Sequence, residues 1–189
     1  DDEWGAFLLL SREWQIGDSG ETEVGLELRS QRGVALRSHT RYRTDSSFTD
    51  VLLYGMRDQD TPETAPDFNR RFDTEEDRYR VKAYHWQEWF NSLSLRLNVD
   101  LLSDIDMLEE WFEDEFDAYP QPRTYGDLRF DHERFTLALS VRPRLNDFYT
   151  AVERLPELKL TVPRQTTFIP GLLYAGETSA ADLDMTWRD

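Results

Sequence analysis

The sequence predicts an all-β fold: an antiparallel up-and-down meander of long strands, of the kind that forms part of a large transmembrane outer-membrane β-barrel. Three observations predict it. Apolar and polar residues take turns with period two over many long stretches, long and short links alternate along the chain, and no run of apolar residues is long enough for a membrane-spanning helix.

The clearest stretch is Leu93-Ser94-Leu95-Arg96-Leu97-Asn98-Val99-Asp100-Leu101, whose odd positions are all aliphatic. A helix would spread its polar residues around the circumference, whereas a strand places them on one face. The same alternation runs through Val24–Arg29, Phe135–Arg142 and Leu158–Val162. Ten strands are predicted, at about residues 5–14, 21–30, 33–43, 49–58, 79–90, 92–102, 123–131, 134–145, 156–163 and 167–176. Many reach nine residues, longer than the five or six usual in soluble sheets and close to what a tilted strand needs to cross a bilayer.

The links sort by end. Ser30-Gln31-Arg32, with Gly33 free to take a positive φ, is a tight turn. The longer links, 59–78, 103–122 and 146–155, follow the fourth, sixth and eighth strands, and therefore share one end of an up-and-down sheet. Short links at Asn91-Ser92 and Asp131-His132-Glu133 occupy the other. Long loops on one side and short turns on the other are the asymmetry of a membrane barrel. Asp58–Asp77 holds eight acids and Asp104–Asp117 another eight with no base, so both acid-rich links fall on the long-loop side. Pro62, Pro66, Pro120 and Pro122 lie in these links, where ladder hydrogen bonds are not needed.

Composition narrows the function. With 38 Asp and Glu against 22 Lys and Arg the formal net charge is −16, which argues against a nucleic-acid partner. Aromatics at 13% oppose disorder, and the lack of cysteine removes disulfides and thiolate metal sites. The three histidines, His39, His85 and His132, sit in no nucleophile signature, and adjacent Glu109 and Glu110 diverge on a helix, so no enzyme is predicted. Asp104, Asp106 and Glu109 lack the Gly and the later Glu of a calcium loop, and no metal or cofactor is expected. Asp1-Asp2-Glu3-Trp4 has neither a basic nor an apolar leader, so the export signal a barrel requires is expected upstream.

Three stretches carry a family resemblance. They are Asp77-Arg78-Tyr79-Arg80-Val81 followed by His85-Trp86; Asn98-Val99-Asp100 leading through Ser103-Asp104-Ile105-Asp106 to Phe112–Phe116; and Phe135–Arg142 leading through Asn146-Asp147-Phe148 to Glu153–Leu158. In order and spacing they resemble the barrel of the LptD-type lipopolysaccharide-assembly proteins, also called organic-solvent-tolerance proteins. The hairpin Val24–Tyr42 with its Arg32-Gly33 turn fits an early hairpin of that barrel, and the likeness extends from about Glu21 onward. The resemblance implies that residues 1–189 are one partial barrel domain in the cell outer membrane, with a periplasmic domain and further strands outside it. It implies lipopolysaccharide, a plug lipoprotein, periplasmic bridge proteins and outer-membrane lipid as partners, and transport of lipopolysaccharide into the outer leaflet as the function.

If the aliphatic face meets lipid, the other carries Glu23, Glu27, Arg29, Arg37, His39, Arg41, Arg96, Asn98, Asp100, Asp127, Arg129, Ser140, Arg142 and Lys159. These are read as lumen-lining residues suited to passage of a phosphorylated sugar, because arginine holds phosphate well; the bland reading is a water-exposed face. Pairing Leu28 with Val34 would set Gly25 opposite Arg37 and Glu23 opposite His39. Leu108, Trp111 or Phe112, and Phe116 recur at helical spacing after Ser103 or Asp104, and are read as a solvated surface helix, or else a cap over the barrel mouth. Tyr79, Tyr84, Trp86, Trp89 and Phe90 are read as part of an interfacial girdle. The alternatives are a passive porin-like barrel and a soluble carbohydrate-binding β-sheet protein; the latter needs a second layer over its apolar face. An open sheet leaves two edges that lipid cannot satisfy, so the segment is not expected to insert alone.

Overall fold

The computed structural model describes residues 4–59, 76–167, 169 and 171–186. They form β1 Phe7–Ile16, β2 Gly20–Arg29, β3 Gly33–Arg43, β4 Ser47–Asp58, β5 Asp77–Trp89, β6 Leu93–Leu102, β7 Tyr125–His132, β8 Phe135–Arg142, β9 Ala151–Thr166 and β10 Leu173–Thr186. Each strand pairs antiparallel with the next, so the order in the ten-stranded sheet is the order in the chain. The predicted meander is present. β1 and β10 do not pair with each other, and the sheet is open rather than closed into a barrel.

The links segregate as expected. Residues 103–124 and 143–150 lie at the end that also carries Ser30–Arg32, while the opposite end has short turns at 17–19, 44–46, 90–92 and 133–134. Most of the acidic link 59–78 lies outside the described residues.

Paired residues share a face, so the register assigns every strand residue to one of two surfaces. Leu28 pairs with Val34, Gly25 with Arg37 and Glu23 with His39, as expected. One row runs Arg37, Tyr54, Arg80, Leu102; the next runs His39, Leu52, Lys82, Asp100. Followed to β9, the ladders put all fourteen expected charged-face residues on the same surface. The other surface carries Leu8, Leu26, Leu36, Leu53, Val81, Leu97, Leu128, Leu139 and Leu158. Nothing among the described residues covers it; Leu36 is 59% exposed. The girdle reading holds only for placement of Tyr79 and Trp89 on this surface. Tyr84 and Trp86 are even-numbered residues of β5 and stand on the charged face, where Tyr84 meets Phe48.

Burial is found on the charged face. The buried apolar strand residues, Ala35, Leu52, Tyr54, Met56 and Leu102, all belong to it. They are covered by the link between β6 and β7, which forms α1 Met107–Trp111 and α2 Glu113–Ala118. Met107 is wholly buried, and Leu108 nearly so. The expectation of a solvated surface helix is therefore corrected: the segment folds back onto the sheet, because Met107, Leu108, Trp111 and Phe112 find apolar partners there.

The last hairpin also departs from the expected bounds. Between Arg154 and Glu157, β9 has one residue more than either neighbour, and between Val162 and Gln165 one more than β10. These bulges fall at Pro156 and Pro163, which have no N–H to offer a ladder. Thr167, Ile169 and Leu172, expected within the tenth strand, precede it instead: Leu172 N donates to Ile169 O, and Thr167 Oγ1 to Leu172 O.

Two turns bear on stability. Gly33 has φ +98°, and a Cβ there would lie 2.2 Å from the Arg57 carbonyl oxygen. The turn between β5 and β6 puts Phe90 and Asn91 at φ 56° and 54°, the type I′ conformation that Asn and Gly favour. Phe90 is 92% exposed, so its strain is not offset by packing. Gly33→Ala is expected to lower the urea midpoint, by well over ~1 kcal/mol of stability. Phe90→Asn is expected to raise it by about 1 kcal/mol. Equal midpoints for both variants and the parent would contradict the turn assignments.

Candidate functional site

The site is the charged face and the helical link that lies on it. At its centre is Arg78, 1% exposed. Its Nε and Nη2 donate to the two carboxylate oxygens of Asp104 at 3.0 and 2.8 Å, and its Nη1 donates to Asp58 at 3.1 Å and Glu110 at 2.6 Å. Arg32, from the tight turn, donates to the same Asp58 and Glu110 oxygens, both at 2.8 Å. One row away, Arg80 holds Asp100 in a fork at 3.0 and 2.8 Å and reaches Glu115 at 2.9 Å, which also accepts from Lys82. Such forks match the planar guanidinium to a carboxylate and add geometric specificity.

The link is thus latched by charge at both helices and by apolar contact between them. Trp111 lies under Arg29 and Arg32, with guanidinium carbons 4.5 and 5.0 Å from its ring centre. Trp4 stacks on Trp111 at 5.6 Å. Phe112 meets Tyr54 edge-on at 5.5 Å and underlies Arg80 at 4.4 Å. Stacked guanidinium groups keep their edge N–H groups free for carboxylates.

Of the fourteen expected residues, Arg41 pairs with Glu21 at 2.7 Å, Glu27, Arg29, Arg37 and His39 line a cavity of 340 Å³ beside Trp111, and Asp100 joins the latch. Arg29 pairs with Glu27 at 2.7 Å, and His39 with Asp50 at 3.0 Å. Arg96, Asp127 and Arg142 line a separate cavity farther along the sheet. Arg129 is taken by Asp131, Lys159 by Glu177, and Asn98 donates to the Arg123 carbonyl. Glu23 and Ser140 lie on the face outside both cavities.

The expected set omitted the latch residues Arg32, Asp58, Arg78, Arg80, Lys82, Asp104, Glu110 and Glu115. Part of the signal was present: cations occupy every second position of Arg78-Tyr79-Arg80-Val81-Lys82. Tyr54 and Met56 concealed it, being apolar residues on a charged face. Among the described residues no cluster of His, Cys, Asp and Glu is arranged to hold a metal ion. No protein-family model matches the chain, and no curated protein is detectably similar to it in sequence.

Removing Arg78 strips buried Asp104 of its arginine and leaves Asp58 to Arg32, a loss of about 3–5 kcal/mol for a buried pair broken on one side. Arg78→Ala is expected to free the 104–118 link, read as loss of its amide protection in hydrogen exchange while β6 and β7 stay protected. Retained protection would show that the apolar contacts alone hold it.

Burial works against the Glu115 carboxylate, but hydrogen bonds from Lys82 and Arg80 outweigh it, and its pKa lies below the ordinary glutamate value. The stability this contributes is complete above the unfolded-state pKa and is lost as pH falls through the lower folded value. A urea midpoint followed downward from neutral pH should fall over that range, and the Glu115→Gln variant should lack that part of the fall. Superimposable pH profiles would refute the assignment.

Proposed function

We propose that this chain is a segment of an outer-membrane β-barrel of the lipopolysaccharide-assembly type, acting in transport and insertion of lipopolysaccharide into the outer leaflet. One observation carries the membrane part. Among the described residues nothing covers the aliphatic surface of the ten-stranded sheet, while the charged surface holds the buried residues and the folded-back link. A soluble sheet buries its apolar surface under a second layer. Hydrocarbon reverses that requirement, leaving the polar side to a wet interior. Strands of eight to sixteen residues and the one-sided long links support the same reading.

The lipopolysaccharide part rests on the three stretches that resemble LptD-type barrels and on arginines facing the polar side. In this reading the charged face lines the lumen, the 103–124 link narrows it, and the open edges meet further strands. The plug lipoprotein, the periplasmic bridge and outer-membrane lipid are the partners that follow.

The absence of cysteine permits a face-by-face test in lipid–detergent mixed micelles. Leu137 lies on the aliphatic surface and Ala138 on the charged one. An environment-sensitive label on Leu137→Cys should be quenched by brominated lipid, and the same label on Ala138→Cys should not. Equal quenching at both sites, or a Leu137 site shielded by a second protein layer, would overturn the membrane reading. Added lipopolysaccharide should then shift the Ala138 label where phosphatidylglycerol does not; a response to neither, or to both alike, would leave a passive barrel.

A further inference from the structure

A cavity of 720 Å³ lies where the charged face of β6, β7 and β8 meets the links 119–124 and 143–150. Its size falls within the ~300–1,000 Å³ of small-molecule sites. Arg96, Arg123, Arg142 and Arg144 line it, and Asp127 is its single acid. That is the reverse of a chain carrying 38 acids and a net charge of −16.

The walls are held from several sides. Arg96 faces Asp127 across the β6–β7 ladder, and Arg142 follows Val141, the partner of Gly126. The Arg123 carbonyl accepts from Asn98, which ties the first link to β6. Asn146, nearly fully buried, ties the second: its Nδ2 donates to Asp100 O and its Oδ1 accepts from Leu102 N, both at 2.9 Å. Arg144 curls that link by donating to the Asn146 and Asp147 carbonyls. Tyr149 is pushed up to about 12 by burial and by Asp100, Asp104 and Asp106, so its hydroxyl remains a donor.

Around the helical link the same face spends most of its cations, Arg37 excepted. Arg29, Arg32, Arg78, Arg80 and Lys82 each have a carboxylate within 3.1 Å. Arg96, Arg123 and Arg142 make no ion pair and no side-chain hydrogen bond among the described residues. Guanidinium groups gathered around one cavity repel one another, and an oxyanion relieves that repulsion while accepting several N–H groups. Asp127 gives a bare anion nothing, but it accepts from a hydroxyl beside the charged group.

We propose that this cavity binds a phosphomonoester carried on a polyol, with Arg96, Arg123 and Arg142 holding the phosphate and Asp127 a neighbouring hydroxyl. The assignment stands on the cavity alone and does not require that the sheet cross a membrane.

Calorimetric titration of the full chain in micelles tests it, with glucose 1-phosphate, inorganic phosphate and methyl glucoside as probes. Glucose 1-phosphate should bind, inorganic phosphate should bind more weakly, and methyl glucoside should not bind. Arg96→Gln and Arg142→Gln should each weaken glucose 1-phosphate by about tenfold, the effect of one charge-assisted hydrogen bond. Arg12→Gln, on the opposite surface, should leave it unchanged. Asp127→Asn should narrow the gap between the two phosphates. Near-ultraviolet dichroism of the aromatic cluster around Trp111 confirms that each variant is folded. No binding by either phosphate probe, or unchanged binding in the folded Arg96→Gln/Arg142→Gln double variant, overturns the site. Equal affinity for the two phosphates overturns the polyol assignment.

Discussion

Antiparallel pairing keeps a side chain on the same side of the sheet as its partner, and this chain applies that constraint through nine successive ladders. Slipping any one ladder by a residue would turn every strand beyond it inside out. The turns that set the registers therefore matter beyond their size. Gly33 lets β3 pass close to the Arg57 backbone, and the left-handed pair Phe90-Asn91 closes β5 onto β6. The bulges in β9 show what happens when the period is broken locally. Arg154 and Glu157, three apart and so on opposite sides of a regular strand, meet at 3.0 Å.

With the sides fixed, the energetics of the two surfaces diverge. The aliphatic rows are half-buried or exposed within the described residues and contribute nothing to the buried core. The stabilising burial is instead small, local and mixed in character: Met107 and Leu108 against Tyr54, Met56 and Leu102, bordered by Arg78 and Arg80. A buried ion network of this kind repays its desolvation only if nearly every donor is met. Arg78 meets that condition with three carboxylates; Arg80 reaches two through Nε and Nη2 but leaves its buried Nη1 without a hydrogen bond among the described residues. The network fixes where the link lies, and the apolar side chains between its two latches make up the packing.

The strands were legible because period-two alternation is strong wherever one surface is uniformly aliphatic, as in Leu93–Leu101. Legibility failed where that uniformity failed. In β4 and β5 the charged side includes Leu52, Tyr54 and Met56 opposite Lys82, Arg80 and Arg78, so the row that builds the latch does not read as polar. In β9 the prolines insert residues and shift the phase, hiding the strand's first third. In β10, Gly176 to Ala181 are small or polar on both sides and carry no contrast to count. The helical link was found from its spacing, but its docking was not, because acidic residues in every turn suggest solvent. Their partners, Arg32, Arg78, Arg80 and Lys82, are remote in sequence and come together only through the register.

The same register divides the charged face into two unlike halves. Under α1 and α2 the cations Arg32, Arg78, Arg80 and Lys82 are met by acids of the folded link, which draws on the eight acids between Asp104 and Asp117. Past Tyr119 the link carries no acid until Asp127, and the arginines of β6 and β8 keep their charge. One connection thus neutralises one half of the surface and leaves the other electropositive, within a chain whose overall charge is strongly negative. Long-range attraction for an anion would be weak outside such a molecule and strong only inside that cavity, since low-dielectric walls focus the local field. Selection of an anionic ligand then depends on entry from the polar side, past the link, rather than on the charge of the chain as a whole.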